Sequence, residues 1–88
     1  MSTYVQFSKT SRLIEMEKLR SSRNGNPRYR MRFENGIEGR SKTDASWPYA
    51  VSEIWLSKPI IFHFHYTNSG RCIIDQAVFA AYKETSNA

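Results

Sequence analysis

From Arg28 to Phe33 the chain alternates strictly, with Tyr29, Met31 and Phe33 on one side and Arg28, Arg30 and Arg32 on the other. A two-residue repeat marks a strand with one face in a core and one in water. Turn signals bracket it, Asn24-Gly25-Asn26-Pro27 before and Asn35-Gly36 after, where Gly and Asn accept the positive φ of a hairpin. Upstream, Leu13 to Ser21 has Leu13, Met16 and Glu17 at helical spacing and a helix-favouring composition. It runs straight into the hairpin turn, however, and the strong strand beyond needs a partner, so it is read as the first strand. Ile37 to Thr43 is read as the third.

The loop between the second and third strands sets their register. A three-residue loop, Glu34-Asn35-Gly36, with a left-handed Gly36 and a bulge places Ile37 opposite Phe33, whereas a two-residue turn would place Glu38 there. The longer loop matches apolar partners and sets Glu38 beside Arg32, Arg40 beside Arg30 and Lys42 beside Arg28. Beyond this hairpin, Trp47, Ala50, Val51, Ile54 and Trp55 fall at the spacing of one helical face. Thr43, Asp44 and Ser46 are cap candidates and Pro48 suits a first turn, which predicts a helix over about 46–56. A strand from Ile60 to Tyr66 follows. Asn68-Ser69-Gly70 turns into another from Arg71 to Asp75. Asp75 then caps a short helix through Tyr82, or the alternation of Cys72, Ile74, Gln76 and Val78 carries the strand on.

The predicted order is β-β-β-α-β-β, an α+β domain with one helix after strand 3. It suits a small five-stranded antiparallel sheet or a partly open OB-like or SH3-like barrel; an OB-fold has its helix between strands 3 and 4. Residues 12–83 form the single globular domain. Residues 1–11 are a loose arm or an edge strand, and 84–88 a tail. Tyr29, Met31, Phe33, Val51, Ile54, Phe62 and Phe64 are the expected core.

Residues Ser22-Arg23-Asn24-Gly25-Asn26-Pro27-Arg28-Tyr29, then Thr43-Asp44-Ala45 and Tyr49-Ala50-Val51, resemble a pattern in small bacteriophage accessory proteins. The resemblance covers residues 12–75. It implies a phage-borne accessory protein working in the host cytoplasm, and brings no activity or site residues with it.

Composition narrows the function classes. Eighty-eight residues with twelve aromatics and 40% apolar positions make one modest core and exclude a wholly disordered chain. No run reaches the roughly 18 apolar residues of a membrane span, and the start has no signal-peptide pattern, so a cytoplasmic protein is expected. A single cysteine, Cys72, excludes an internal disulfide framework and reads as an inert core thiol. His63 and His65 share one strand face, but two imidazoles fall short of a zinc site, so no metal or cofactor is expected. No phosphate-binding loop, nucleophile elbow or carboxylate pair is present, which argues against an enzyme.

Charge is the remaining signal. The net charge of +5 is lopsided: residues 1–43 carry +6 and residues 44–88 carry −1. Arg28, Arg30, Arg32, Arg40 and Lys42 fall on the outer face of strands 2 and 3. Arg23 lies in the loop joining strands 1 and 2, and Arg71 in the loop joining strands 4 and 5. Guanidinium groups fork onto phosphates, so single-stranded DNA or RNA is the first expected partner. An acidic surface of a host protein machine is the second, with rims around Trp47, Trp55 and Ile61 as hot spots. Against a nucleic-acid surface, Tyr29 and Phe33 point to the core, leaving no stacking aromatics, and Glu38 and Glu17 offset part of the charge.

Overall fold

The computed structural model describes residues 5–80. Five strands close into one barrel: β1 (Phe7–Lys18), β2 (Tyr29–Phe33), β3 (Glu38–Ser41), β4 (Pro59–Tyr66) and β5 (Cys72–Phe79), in the spatial order β1-β2-β3-β5-β4. All neighbours are antiparallel except β3 and β5, which pair in parallel through Arg40–Ile73 and Ser41–Ile74. The sheet is therefore mixed and closed, neither wholly antiparallel nor partly open.

Closure depends on β1. Its first half, Phe7 to Arg12, pairs with β4, and its second half, Leu13 to Lys18, with β2. Residues 7–11, read from the sequence as an arm or edge strand, are thus half of one long strand. The change of partner falls at a bulge between Leu13 and Glu15, which bends the strand and tightens its twist. Leu13 remains in the core, Ile14 turns out to solvent, and Glu15 and Glu17 come to the outer face.

The β2–β3 hairpin has the expected register. Arg32 faces Glu38, Met31 faces Gly39 and Arg30 faces Arg40. Phe33 N–H donates to Ile37 C=O at 2.8 Å, and Gly36 turns the chain at φ +95°. Inside the barrel lie Leu13, Met31, Phe33, Ile60, Phe62, Phe64, Ile74 and Ala77. Phe33 and Phe62 stack with centroids 3.8 Å apart and planes 9° apart.

The helix over 46–56 does not form. Two 3-10 turns stand there instead, Trp47–Ala50 and Glu53–Trp55, separated by extended backbone at Val51 and Ser52. A 3-10 turn rises about 2.0 Å per residue against 1.5 Å for an α-helix. The connection is thereby more extended than a helix and lays Val51 and Trp55 into the core. The buried Trp55 indole N–H donates to Ala50 C=O at 3.1 Å, a carbonyl that a continuous helix would have bonded to Ile54 N–H. Ile54 is consequently 66% exposed, not core, and Tyr29 is only half-buried. Asp75 caps no helix, because β5 continues to Phe79. The region beyond Ala80, including the helix end at Tyr82 and the tail, lies outside the described residues, as do residues 1–4. Among the described residues no helix is long and apolar enough to cross a membrane.

Candidate functional site

The outer face of β2 and β3 presents its arginines as the alternation requires, but the bulge in β1 divides them into two sets. Glu15 and Glu17 are register partners of Arg32 and Arg30. Arg30 reaches Glu15 Oε1 through Nη2 and Glu17 Oε1 through Nε, both at 2.8 Å, and Glu38 Oε2 through Nη1 at 3.3 Å. Arg32 Nη2 lies 3.2 Å from Glu15 Oε2. Arg30 is enclosed by three carboxylates and its side chain is only 23% exposed. Glu17 and then Glu15 hold its guanidinium above its ordinary pKa, while Arg30 and Arg32 hold the Glu15 carboxyl below its own.

The second set has no ion-pair partner among the described residues: Arg28, Arg40, Lys42 and Arg71. Arg28, Arg40 and Arg71 rim a groove of about 300 Å³ that runs over β3 between β2 and the start of β5. Its floor is Gly39, Ser41, Cys72 and Ile73, with Thr43 at one end and the Arg30–Glu38 pair at the side. Gly39 is required here. A Cβ on it would sit 2.8 Å from Cys72 Sγ and 3.1 Å from Cys72 C=O, so only glycine lets β5 approach β3 this closely. Ser41 is buried and its Oγ accepts the Tyr29 N–H at 3.0 Å. Arg28 Nε is shielded from solvent with no hydrogen-bond partner, an unsatisfied charged donor beside the groove.

Of the residues read from the sequence, four therefore converge: Arg28, Arg30, Arg40 and Arg71. Arg32 is drawn to the β1 side. Arg23 is exposed in the β1–β2 loop and Lys42 just after β3, and neither lines the groove. Glu15 is the carboxylate that reading from the pattern missed. Its signal was present, because Leu13 and Met16 can both face inward from one strand only if a bulge lies between them.

The loops beside the groove are tied together. Asp44, at φ +61°, accepts from Ser22 Oγ (2.6 Å), Asn24 Nδ2 (3.0 Å) and Asn26 Nδ2 (2.8 Å), clamping the β1–β2 loop to the end of β3. The bonds from Ser22 and Asn26 keep its carboxyl below the usual aspartate value.

Elsewhere, His63 and His65 lie on the outer face of β4, both half-buried, with His65 Nδ1 2.9 Å from Asp75 Oδ2. Among the described residues no three His, Cys, Asp or Glu side chains group as a metal site would require. Cys72 is half-buried, and burial, helped by Asp75, pushes its thiol up to about 11. Such a thiol stays protonated at neutral pH and is a weak nucleophile. Of the suggested hot-spot rims, Trp55 is buried and Trp47 and Ile61 are half-buried. No family model, curated protein or solved structure matches the chain.

Proposed function

We propose that the protein is a small non-enzymatic module that binds single-stranded nucleic acid across β3, its phosphates held by Arg28, Arg40 and Arg71. The observation that carries this reading is the division of the arginines. Arg30 and Arg32 are neutralised within the barrel wall, whereas three guanidinium groups without carboxylate partners among the described residues flank one groove. Keeping like charges together unpaired costs stability through mutual repulsion, and a bound polyanion relieves it. The strand order, with β3 parallel to β5, is OB-like, and in such barrels ligands lie across strands 2 and 3 between the loops joining strands 1–2 and 4–5. The groove occupies the corresponding region here, with Arg71 from the β4–β5 loop. A phage-borne accessory protein in the host cytoplasm is in keeping with this reading.

The test is salt-titrated binding of a random single-stranded oligonucleotide to the wild type and to the variant in which Arg28, Arg40 and Arg71 are changed to Gln. Binding that weakens across all sequences in the variant supports the reading. Absence of binding by the wild type at low salt ends it. If the variant instead loses a host protein partner, the same groove serves as the surface of a protein-binding inhibitor.

A further inference from the structure

The outer face of β2 and β3 carries no exposed aromatic, but the connection between β3 and β4 carries one, Tyr49. A second cavity, of about 330 Å³, opens between the β1–β2 loop and the first 3-10 turn. Lys18, Pro27, Tyr29, Pro48 and Tyr49 form its walls, and among the described residues no carboxylate lines it. A chain of hydrogen bonds links it to the end of the arginine groove: Tyr49 bonds Asn26, and Asn26 bonds Asp44, the neighbour of the groove residue Thr43.

Tyr49 is unusual within this cavity. It is 65% exposed, yet its hydroxyl is held: it donates to Asn26 Oδ1 at 2.6 Å, and Asn26 is in turn held by Asp44. Behind it, Pro48 is fully buried and anchors the turn. The ring is therefore fixed at its rim while much of its surface meets water. An exposed aromatic already oriented loses little conformational freedom when a ligand covers it. A flat, apolar ring beside an ammonium and a cationic groove suits a flat aromatic ligand attached to an anion.

We propose that this cavity is a nucleobase-stacking site with Tyr49 as its platform, so that one base of a bound strand leaves the Arg28 groove and stacks there while Lys18 meets a neighbouring phosphate. The inference rests on the nucleic-acid reading of the groove and adds a base contact to its phosphate contacts. Stacking on an aromatic ring is tolerant of sequence, because every base offers a π-face. The site therefore distinguishes single strands from phosphate alone, not one base from another.

The experiment compares a mixed-sequence single-stranded oligonucleotide with an abasic strand of equal length, by fluorescence anisotropy at several salt concentrations. The wild type is expected to prefer the base-bearing strand by roughly tenfold. Tyr49→Ala should erase that preference and leave the salt slope unchanged. Tyr49→Phe, which keeps the ring and loses its tether, should fall between the two. A second readout needs no variant: the ring protons of Tyr49 in the wild type should move upfield with the base-bearing strand and stay in place with the abasic one. If the wild type binds both strands equally with a normal salt slope, the stacking site is refuted and the groove stands. If it binds neither strand at low salt, both readings fail together.

Discussion

Arg30 and Glu15 meet at 2.8 Å across the β1–β2 pair, and that contact decides which arginines remain available to a partner. Without the bulge between Leu13 and Glu15, the outer-face positions of β1 would shift by one residue and the carboxylates would leave the face. The pair is exposed enough to contribute little stability. Its effect is on the electrostatic surface: it removes Arg30 and Arg32 from the cationic patch and leaves Arg28, Arg40 and Arg71.

Removing the two sets of arginines should therefore give different results. Each phosphate neutralised on a single strand contributes about 0.7 to the slope of log K against log salt, so three contacts give a slope of roughly −2. Arg28→Gln, Arg40→Gln and Arg71→Gln should each reduce the slope by about 0.7. Arg30→Gln should reduce it much less, because its charge is already spent on Glu15, Glu17 and Glu38. Equal losses from Arg30→Gln and Arg40→Gln would contradict the division of the face.

Acid should loosen the barrel wall and the loop clamp. Glu15 is held below its ordinary value of 4.5 by Arg30 and Arg32, and Asp44 below 3.8 by Ser22 and Asn26. A carboxylate with a depressed folded pKa stabilises the fold above its unfolded pKa, and the contribution drains away as pH falls through the folded value. Stability should fall as pH drops below about 4.5, and the decline should be shallower in a Glu15→Gln, Asp44→Asn double variant. Carboxyl-carbon NMR titration should show both groups titrating below their ordinary values. Parallel acid limbs for the two proteins would count against this assignment.

The centre of the core rests on the Phe33–Phe62 stack, with both rings fully buried. Phe33→Ala leaves a cavity that the closed barrel cannot readily collapse around. It should cost about 3–5 kcal/mol in urea unfolding, a large share of the stability of so small a domain. A loss below about 1 kcal/mol would place the stack outside the cooperative core.

Gly39 should prove intolerant of any side chain. Gly39→Ala drives a methyl group against Cys72 Sγ, Cys72 C=O and Ile74 Cγ1. The expected cost is about 1–3 kcal/mol, with faster amide exchange in the short parallel β3–β5 pairing. Adding Cys72→Ala relieves the sulfur clash but leaves the backbone one, so recovery should be partial. Full recovery would show that the thiol alone sets the spacing.

Local pattern determined β2, its hairpin with β3, and β4, but not where β1 begins or how far β5 runs. The alternation from Arg28 to Phe33 faces the core as read, since a strand's side chains must point alternately to its two sides. Gly36 set the register because the loop needed one residue at positive φ and the apolar partners fitted only that loop length. The arginines were legible as an outer face for the same reason. What tertiary structure alone decided is how that face is neutralised and what the connection between β3 and β4 becomes. Glu15 reaches Arg30 through a bulge where β1 passes from β4 to β2; the spacing of Leu13 and Met16 carries a signal of it, and barrel closure fixes where it falls and what it neutralises. The stripe from Trp47 to Trp55 has helical spacing, but the segment must join β3 to β4 and satisfy a buried indole. Two 3-10 turns reach farther than one helix and leave the Ala50 carbonyl for Trp55. That choice turns Ile54 outward and leaves Tyr49 exposed against the β1–β2 loop, because long-range closure outweighs a local preference worth a few tenths of a kcal/mol per residue.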